Sequence, residues 1–221
     1  MKPIILLNFA SRSRPDKFLA AVENIELKIG SKANYQILAK LDNDDASMQF
    51  MRNHSINNLT VAWGDSKSKI HAINRDIPKF SWNILVNMSD DMYFTQLGFD
   101  ETIREAFENP KGSTRIYDLD QCIHFPDGNT TEIITMSILG RKYFDRFGYV
   151  YHPEYTSLWC DNEQTDVAKM LGKYKFVDKN IFEHRHPAFG KGAMDAQYKH
   201  TESYFYIDKD VYDKRKQFNF I

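Results

Sequence analysis

The chain has 221 residues, of which 42% are hydrophobic and 14% aromatic, and its 29 basic and 30 acidic residues leave a formal net charge of −1. That length supports one substantial α/β domain, and the balanced charge excludes a global field that would draw the protein to nucleic acid. A small-molecule substrate is favoured, with a local basic patch at Lys209–Lys216 as the exception.

Cys122 and Cys160 show neither CxxC spacing nor a paired framework, which reads as reduced thiols. The first apolar stretch, Ile4–Leu7, is too short for a signal peptide, and no segment approaches the length of a membrane span. A cytoplasmic location is therefore expected. Sequons at Asn53, Asn58, Asn87 and Asn129 carry no weight without a secretion signal.

In chain order, Pro3–Phe9 reads as a strand and Pro15 as the first-turn proline of a helix running to Ile29. Tyr35–Leu41 predicts a second strand, with a short helix at Ala46–Arg52. A third strand, Leu59–Trp63, leads through Gly64 into a helix over Lys67–Arg75, and Trp82–Met88 is the fourth strand. This alternation implies right-handed crossovers and a mostly parallel sheet flanked by helices. Beyond Asp91 the pattern loosens into a helix at Phe99–Glu108, strands at Thr114–Leu119 and Glu132–Leu139, and a short helix at Arg141–Phe147. An aromatic loop to Trp159, a helix at Asp161–Leu171, short strands at Lys175–Val177 and Ile181–Glu183, and tail helices within Asp195–Phe220 complete the chain. The expected organisation is one domain: a nucleotide-binding half (1–95), an acceptor or catalytic half (96–192) with a small antiparallel part, and a helical tail (193–221).

The sharpest chemical signal is Asp90-Asp91, released at the C-terminal end of an apolar run, where open α/β sheets place ligands. Adjacent carboxylates repel unless a cation or proton intervenes, and Mg²⁺ or Mn²⁺ is commonly held by one or two carboxylates plus substrate phosphates. An ordinary solvated turn explains such a pair equally well. Asp42-Asn43-Asp44-Asp45 is a competing cluster, in which Asp45 reads first as a helix cap and Asp42 as a nucleotide contact. Ser11-Arg12-Ser13-Arg14 leaves the first strand where α/β folds read a nucleotide, with Arg12 and Arg14 suited to bidentate phosphate pairing. Lys67, Lys69 and Asn74 follow Gly64 as further base or diphosphate candidates.

Downstream, Asp161-Asn162-Glu163 opens a helix beside Tyr151, Tyr155 and Trp159, so a carboxylate there suits a general base on an acceptor hydroxyl. Asp161 with Gln164 also reads as a capping box. In Glu183-His184-Arg185-His186-Pro187 the two histidines share one face of an extended segment, a weak metal signal by itself. A zinc hydrolase built on these and His152 lacks any helical HExxH spacing.

In this order the motifs resemble the family 2-like, GT-A-fold glycosyltransferases, over roughly residues 3 to 190. Ser89-Asp90-Asp91 stands in the place of the family's DxD metal motif, and Asp161-Asn162-Glu163 in the place of its acceptor-side acidic pair. His186 or His184 is similar to the late histidine of the metal site. The resemblance implies a nucleotide-sugar donor, UDP being the commonest nucleotide in the family, and Mn²⁺ or Mg²⁺. It implies Asp91 as metal ligand with Asp90 on ribose or metal, and Asn8, Ser11, Arg12, Arg14, Asp42, Gly64, Lys69 and Asn74 on the donor side. It further implies Asp161 as base with Glu163 as rival, Tyr151, Tyr155 and Trp159 toward the acceptor, and inversion by one in-line displacement. A glycan, a protein, a lipid-linked glycan and a modified nucleobase all remain open as acceptors. The alternatives are a nucleotidyltransferase, which usually needs a Gly-rich loop that Ser11–Arg14 lacks, and a non-catalytic sugar-binding module with the aromatic residues as a stacking platform.

Overall fold

The computed structural model describes residues 2–109 and 116–220. Strand β1 (Ile5–Ala10) leads through Arg14 into helix α1 (Pro15–Lys28), whose proline supplies the fixed first-turn φ. Strand β2 (Tyr35–Asp42) is followed by a 3₁₀ turn over Ala46–Asn53, capped by the Asp45 carboxylate on Ser47 N–H. Next come β3 (Leu59–Gly64), α2 (Lys69–Asn74) capped by Ser68, and β4 (Ile84–Asn87). Strand β5 (Met92–Phe94) and helix α3 (Phe99–Ala106) precede β6 (Cys122–His124), β7 (Ser137–Gly140) and α4 (Arg141–Phe144). Helix α5 (Cys160–Met170), strands β8 (Tyr174–Phe176) and β9 (Phe182–His184), and helices α6 (Ala196–Glu202) and α7 (Phe205–Gln217) complete the order.

The main sheet runs β3-β2-β1-β4-β7-β6-β8. Its first four strands are parallel, β7 is antiparallel to both neighbours, and β6 pairs β8 in parallel. Alternation along β1 sorts the core into two layers: Ile5, Leu7 and Phe9 pack with Phe18, Val22 and Ile25 of α1, while Leu6 packs with Ile70 and Ile73 of α2. Strands buried on both faces read as continuous apolar runs, which is why β1, β2 and β4 stand out in the sequence. Gly140 ends β7 where a Cβ would come within 2.2 Å of the Leu119 carbonyl oxygen, so a side chain there would force the backbones apart.

The expected strand at Glu132–Leu139 is shorter and shifted, and β6 and β5 come from segments with no strand-like periodicity. Of the expected strand at Thr114–Leu119, Thr114 and Arg115 lie outside the described residues, and the remainder contributes only one bridge, Glu108 to Tyr117. Among the described residues no helix is long and apolar enough to cross a membrane.

Candidate active site

The parallel strands β1, β2 and β4 end together, and the loops that leave them form one wall of a cleft of about 430 Å³. Its lining includes Ser11, Arg12, Arg14, Asp42, Asp90 and Asp91 on that wall, Lys69 at the start of α2, Asp161 on α5, His184 at the end of β9 with His186 just beyond it, and Tyr198 on α6. Segments remote in sequence thus converge at the carboxyl ends of a parallel sheet, at the strand-order switch between β1 and β4.

The two aspartates have different surroundings. Asp90 accepts from Ser11 Oγ at 2.6 Å and from Arg14 Nη1 at 3.0 Å. Burial raises its pKa, against the pull of Arg14 and Ser11. Asp91 accepts from the Tyr198 hydroxyl at 2.7 Å and from Ser89 Oγ, and faces His184 Nε2 at 3.4 Å. Burial opposes its ionisation, but His184, Ser89 and Tyr198 together hold its carboxyl below the usual range. The small sheet delivers this histidine: β5 pairs antiparallel with β9, placing Met92 opposite His184, and Arg185 N–H donates to the Asp91 carbonyl at 2.9 Å.

On its other side His184 Nδ1 lies 3.5 Å from Asp127 Oδ2, an ion-pair contact too long for a good hydrogen bond. Burial pulls the His184 pKa down, yet Asp127 and Asp91 outweigh it and carry the imidazole up to about 9. Asp127 is itself fixed by the N–H groups of Asn129 and Thr130 at 2.8 and 2.7 Å. A carboxylate behind a histidine that faces a second carboxylate is the arrangement that orients metal-binding imidazoles. Burial lowers the pKa of His186, with His184 adding to the effect.

Tyr198, which sequence reasoning missed, sits under Arg14 at 4.0 Å and Lys17 at 4.4 Å from its ring centroid, with the His186 ring edge-on at 4.8 Å. Burial and the Asp91 carboxylate push its phenol pKa up, so it remains a neutral donor. Asp195, the cap of α6, ties Arg14 and Lys17 at 2.8 and 3.0 Å. Neither residue carries a sequence signal beyond a helix cap, because their partners lie 107 to 181 positions away.

Asp161 sits in the first turn of α5 and accepts from Asn162 N–H at 2.9 Å. Burial raises its pKa, with Lys69 and His184 acting the other way. The expected capping box is not formed: Trp159 takes the cap position with a left-handed φ of 62° and makes no side-chain cap, and Gln164 turns to the Val150 carbonyl.

Several expected site residues stand elsewhere. Glu163 points away from the cleft, accepting from Arg215 at 2.8 and 3.0 Å and from the Tyr155 hydroxyl at 2.8 Å. Tyr155 is thereby turned inward, and Trp159 packs on Phe205 and Tyr212, so neither lines the cleft. Tyr151 borders it but is buried, its hydroxyl receiving the Ser137 hydroxyl proton at 2.9 Å. Tyr151, Tyr155 and Trp159 therefore do not together form the stacking platform that the binding-module alternative would use. Asn74 clamps the backbone of Val150 and Tyr151. Gly64 ends β3 beneath Arg75. Asn8 lies under the cleft floor in a polar layer with Asn87 and Lys40, whose amine burial holds well below the usual lysine pKa. Lys40, overlooked in an apolar strand, borders the cleft where Asn8 does not. Arg12 is committed to Asp42 and Asp44 at 2.9 and 2.7 Å.

No family model matches the chain, and no curated protein matches it in sequence. Solved structures do match in shape. The mannosyltransferase PcManGT from Pyrobaculum calidifontis, in complex with GDP-Man and Mn²⁺, aligns at a TM-score of 0.63 and 12% identity over 92% of this chain and 70% of that one. S. aureus TarS 1–349 in complex with UDP-GlcNAc aligns at 0.61 and 12% identity, over 90% of this chain and 64% of that one. The chain has a GT-A-like glycosyltransferase fold. The cleft lies at the ends of β1 and β4, the topological switch point of this sheet.

Among the described residues no three His, Cys, Asp or Glu side chains converge on a common cation position. Asp91 and His184 place one carboxylate and one imidazole 3.4 Å apart, a pair that could supply two ligands to a divalent cation.

Proposed function

We propose that the protein is a nucleotide-sugar glycosyltransferase that works with a divalent cation. The observation that carries this reading is the cleft itself, where a cationic and carboxylate-rich wall at the ends of β1 and β4 shares one space with a half-buried carboxylate on α5, Asp161. Arg14, and Lys69 on the rim, would bind a diphosphate, while Asp42, whose buried Oδ1 has no hydrogen-bond partner, would take a polar edge of the nucleoside. Asp91 and His184, with His186 nearby, would hold Mn²⁺ or Mg²⁺ in exchange for the proton that Asp127 and Asp91 hold on the His184 imidazole. When bound, the ion would supply positive charge against the leaving diphosphate. Asp127 would orient His184 for that contact.

Asp161 would remove the acceptor hydroxyl's proton. Burial raises its affinity for a proton, which suits a base near neutral pH better than a solvated aspartate would. One in-line displacement would then invert the anomeric carbon. The printed ligands of the structural neighbours, GDP-Man with Mn²⁺ and UDP-GlcNAc, support trying both nucleotides.

A thermal-shift panel of UDP- and GDP-sugars with and without Mn²⁺ tests the reading. A ligand at 100 times its Kd stabilises the native state by about 2.7 kcal/mol, visible as a rise of several degrees. The expected outcome is a rise that needs nucleotide and metal together. A flat response across the panel would overturn the donor assignment.

A further inference from the structure

The loop that precedes Asp161 is held in an unusual way. Three successive backbone N–H groups, those of Thr156, Ser157 and Leu158, donate to the single carboxylate of Asp208 on α7 at 2.9, 2.7 and 2.7 Å. Asp208 is fully buried. The carbonyl of Thr156 accepts from Ile70 N–H of α2 at 3.3 Å, so the loop is pinned from both sides. Such a constraint is strong, because hydrogen bonds to a charged acceptor are roughly twice as strong as neutral ones.

What the pinned loop presents is a hydroxyl. Ser157 is 6% exposed, lines the cleft, and its Oγ has no hydrogen-bond partner among the described residues. A buried polar atom left unpaired costs about 1–3 kcal/mol, so its persistence calls for a partner that arrives from outside the chain. Asp161 lines the same cleft four residues on. The other buried, unpaired cleft atoms, on Arg14, Asp42 and His184, belong to the donor wall and to the end of β9.

We infer that Ser157 is the acceptor-recognition residue, that Asp208 is its positioning residue, and that the acceptor is a saccharide gripped through its ring hydroxyls. The assignment rests on the transferase reading for the word acceptor. Around Ser157 the chemistry favours a sugar over a planar nucleobase: the loop's own aromatic side chains, Tyr155 and Trp159, are turned away, and Thr156, Ser157 and Asp161 line the cleft with hydroxyls and a carboxylate. Two further cleft tyrosines, Tyr198 and Tyr204, come from the C-terminal helical segment. A hydroxyl donates and accepts at once, so Ser157 can take one ring hydroxyl in either sense while Asp161 accepts from its neighbour.

Saturation-transfer NMR on the full chain, with methyl glycosides of glucose, galactose, mannose and N-acetylglucosamine as probes, tests this without any transfer step. At least one glycoside is expected to bind the wild type in the absence of nucleotide, and Ser157→Ala to weaken it about fivefold, the effect of one lost hydrogen bond. Asp208→Asn should weaken the same glycoside and speed hydrogen exchange at the amides of residues 156–158. If Asp208→Asn does not fold, Ser157→Ala alone decides. No glycoside binding to the wild type, equal binding to Ser157→Ala, or Ser157-dependent binding of cytidine or thymidine instead would each overturn the inference. A separate arm with UDP or GDP and Mn²⁺ reports on the donor wall, so a failed transferase reading shows there while the glycoside arm still returns its own answer.

Discussion

At the scale of single residues, the two acidic groups of Asp161-Asn162-Glu163 are separated by environment rather than by sequence. Both are carboxylates at the start of one helix, yet a step of two residues, about 200° around the helix axis, sends Asp161 to the cleft and Glu163 to Arg215. Asp161→Asn should abolish transfer while leaving donor-dependent thermal shifts intact; a normal transfer rate in that variant would remove Asp161 as base. Asp91→Asn should show the opposite pattern, losing the metal-dependent part of the donor shift first. The sequence made Asp90-Asp91, Asp161 and His184 legible because apolar runs end in acids and because extended His-x-His has a fixed period. It gave no means of choosing between Asp161 and Glu163, since the partner that claims Glu163 lies 52 residues further on.

At the scale of elements, α7 does more than cover the core. Its Arg215 forms a largely buried, bidentate pair with Glu163, and its Asp208 pins the loop before α5. Removing one partner of a buried pair leaves an unpaired charge and costs about 3–5 kcal/mol. Glu163→Gln should therefore lower the urea midpoint strongly while the folded fraction keeps its donor binding, which separates a structural carboxylate from a catalytic one. The long elements, α1, β1, β2 and β4, were readable from periodicity, and so was the acidic strand end that they position. Of the three-residue strands, β8 and β9 were readable to within one residue, at Lys175–Val177 and Ile181–Glu183, whereas β5 and β6 were not, because three residues show no period and their existence depends on a partner strand. That gap matters for the site, since the β5–β9 pairing is what sets His184 against Asp91.

At the scale of the whole molecule, acid stability follows from paired carboxylates. Asp120 is held down to about 2, chiefly by its hydrogen bond to Arg146 and then by Lys173. A carboxyl whose folded pKa lies below its unfolded value of 3.8 contributes stability above about pH 4, and that contribution is lost as pH falls toward 2. Asp120→Asn should lower the melting temperature at neutral pH and flatten its decline between pH 4 and pH 2, measured by circular dichroism at closely spaced pH values. An unchanged slope would show that other carboxylates dominate acid unfolding.

The bond between Arg14 and Asp195 joins positions 181 residues apart, and the Tyr198 hydroxyl reaches Asp91 across 107. Contacts of that span close the largest loops, so they are costly to form early and tend to form after local structure is in place. On a ribosome, β1, β2 and β4 can pair long before α6 has left the exit tunnel. The cleft is therefore a late product of synthesis: the parallel strands can pair first, and the carboxylate wall gains the supports of Asp195 and Tyr198 only once α6 has emerged.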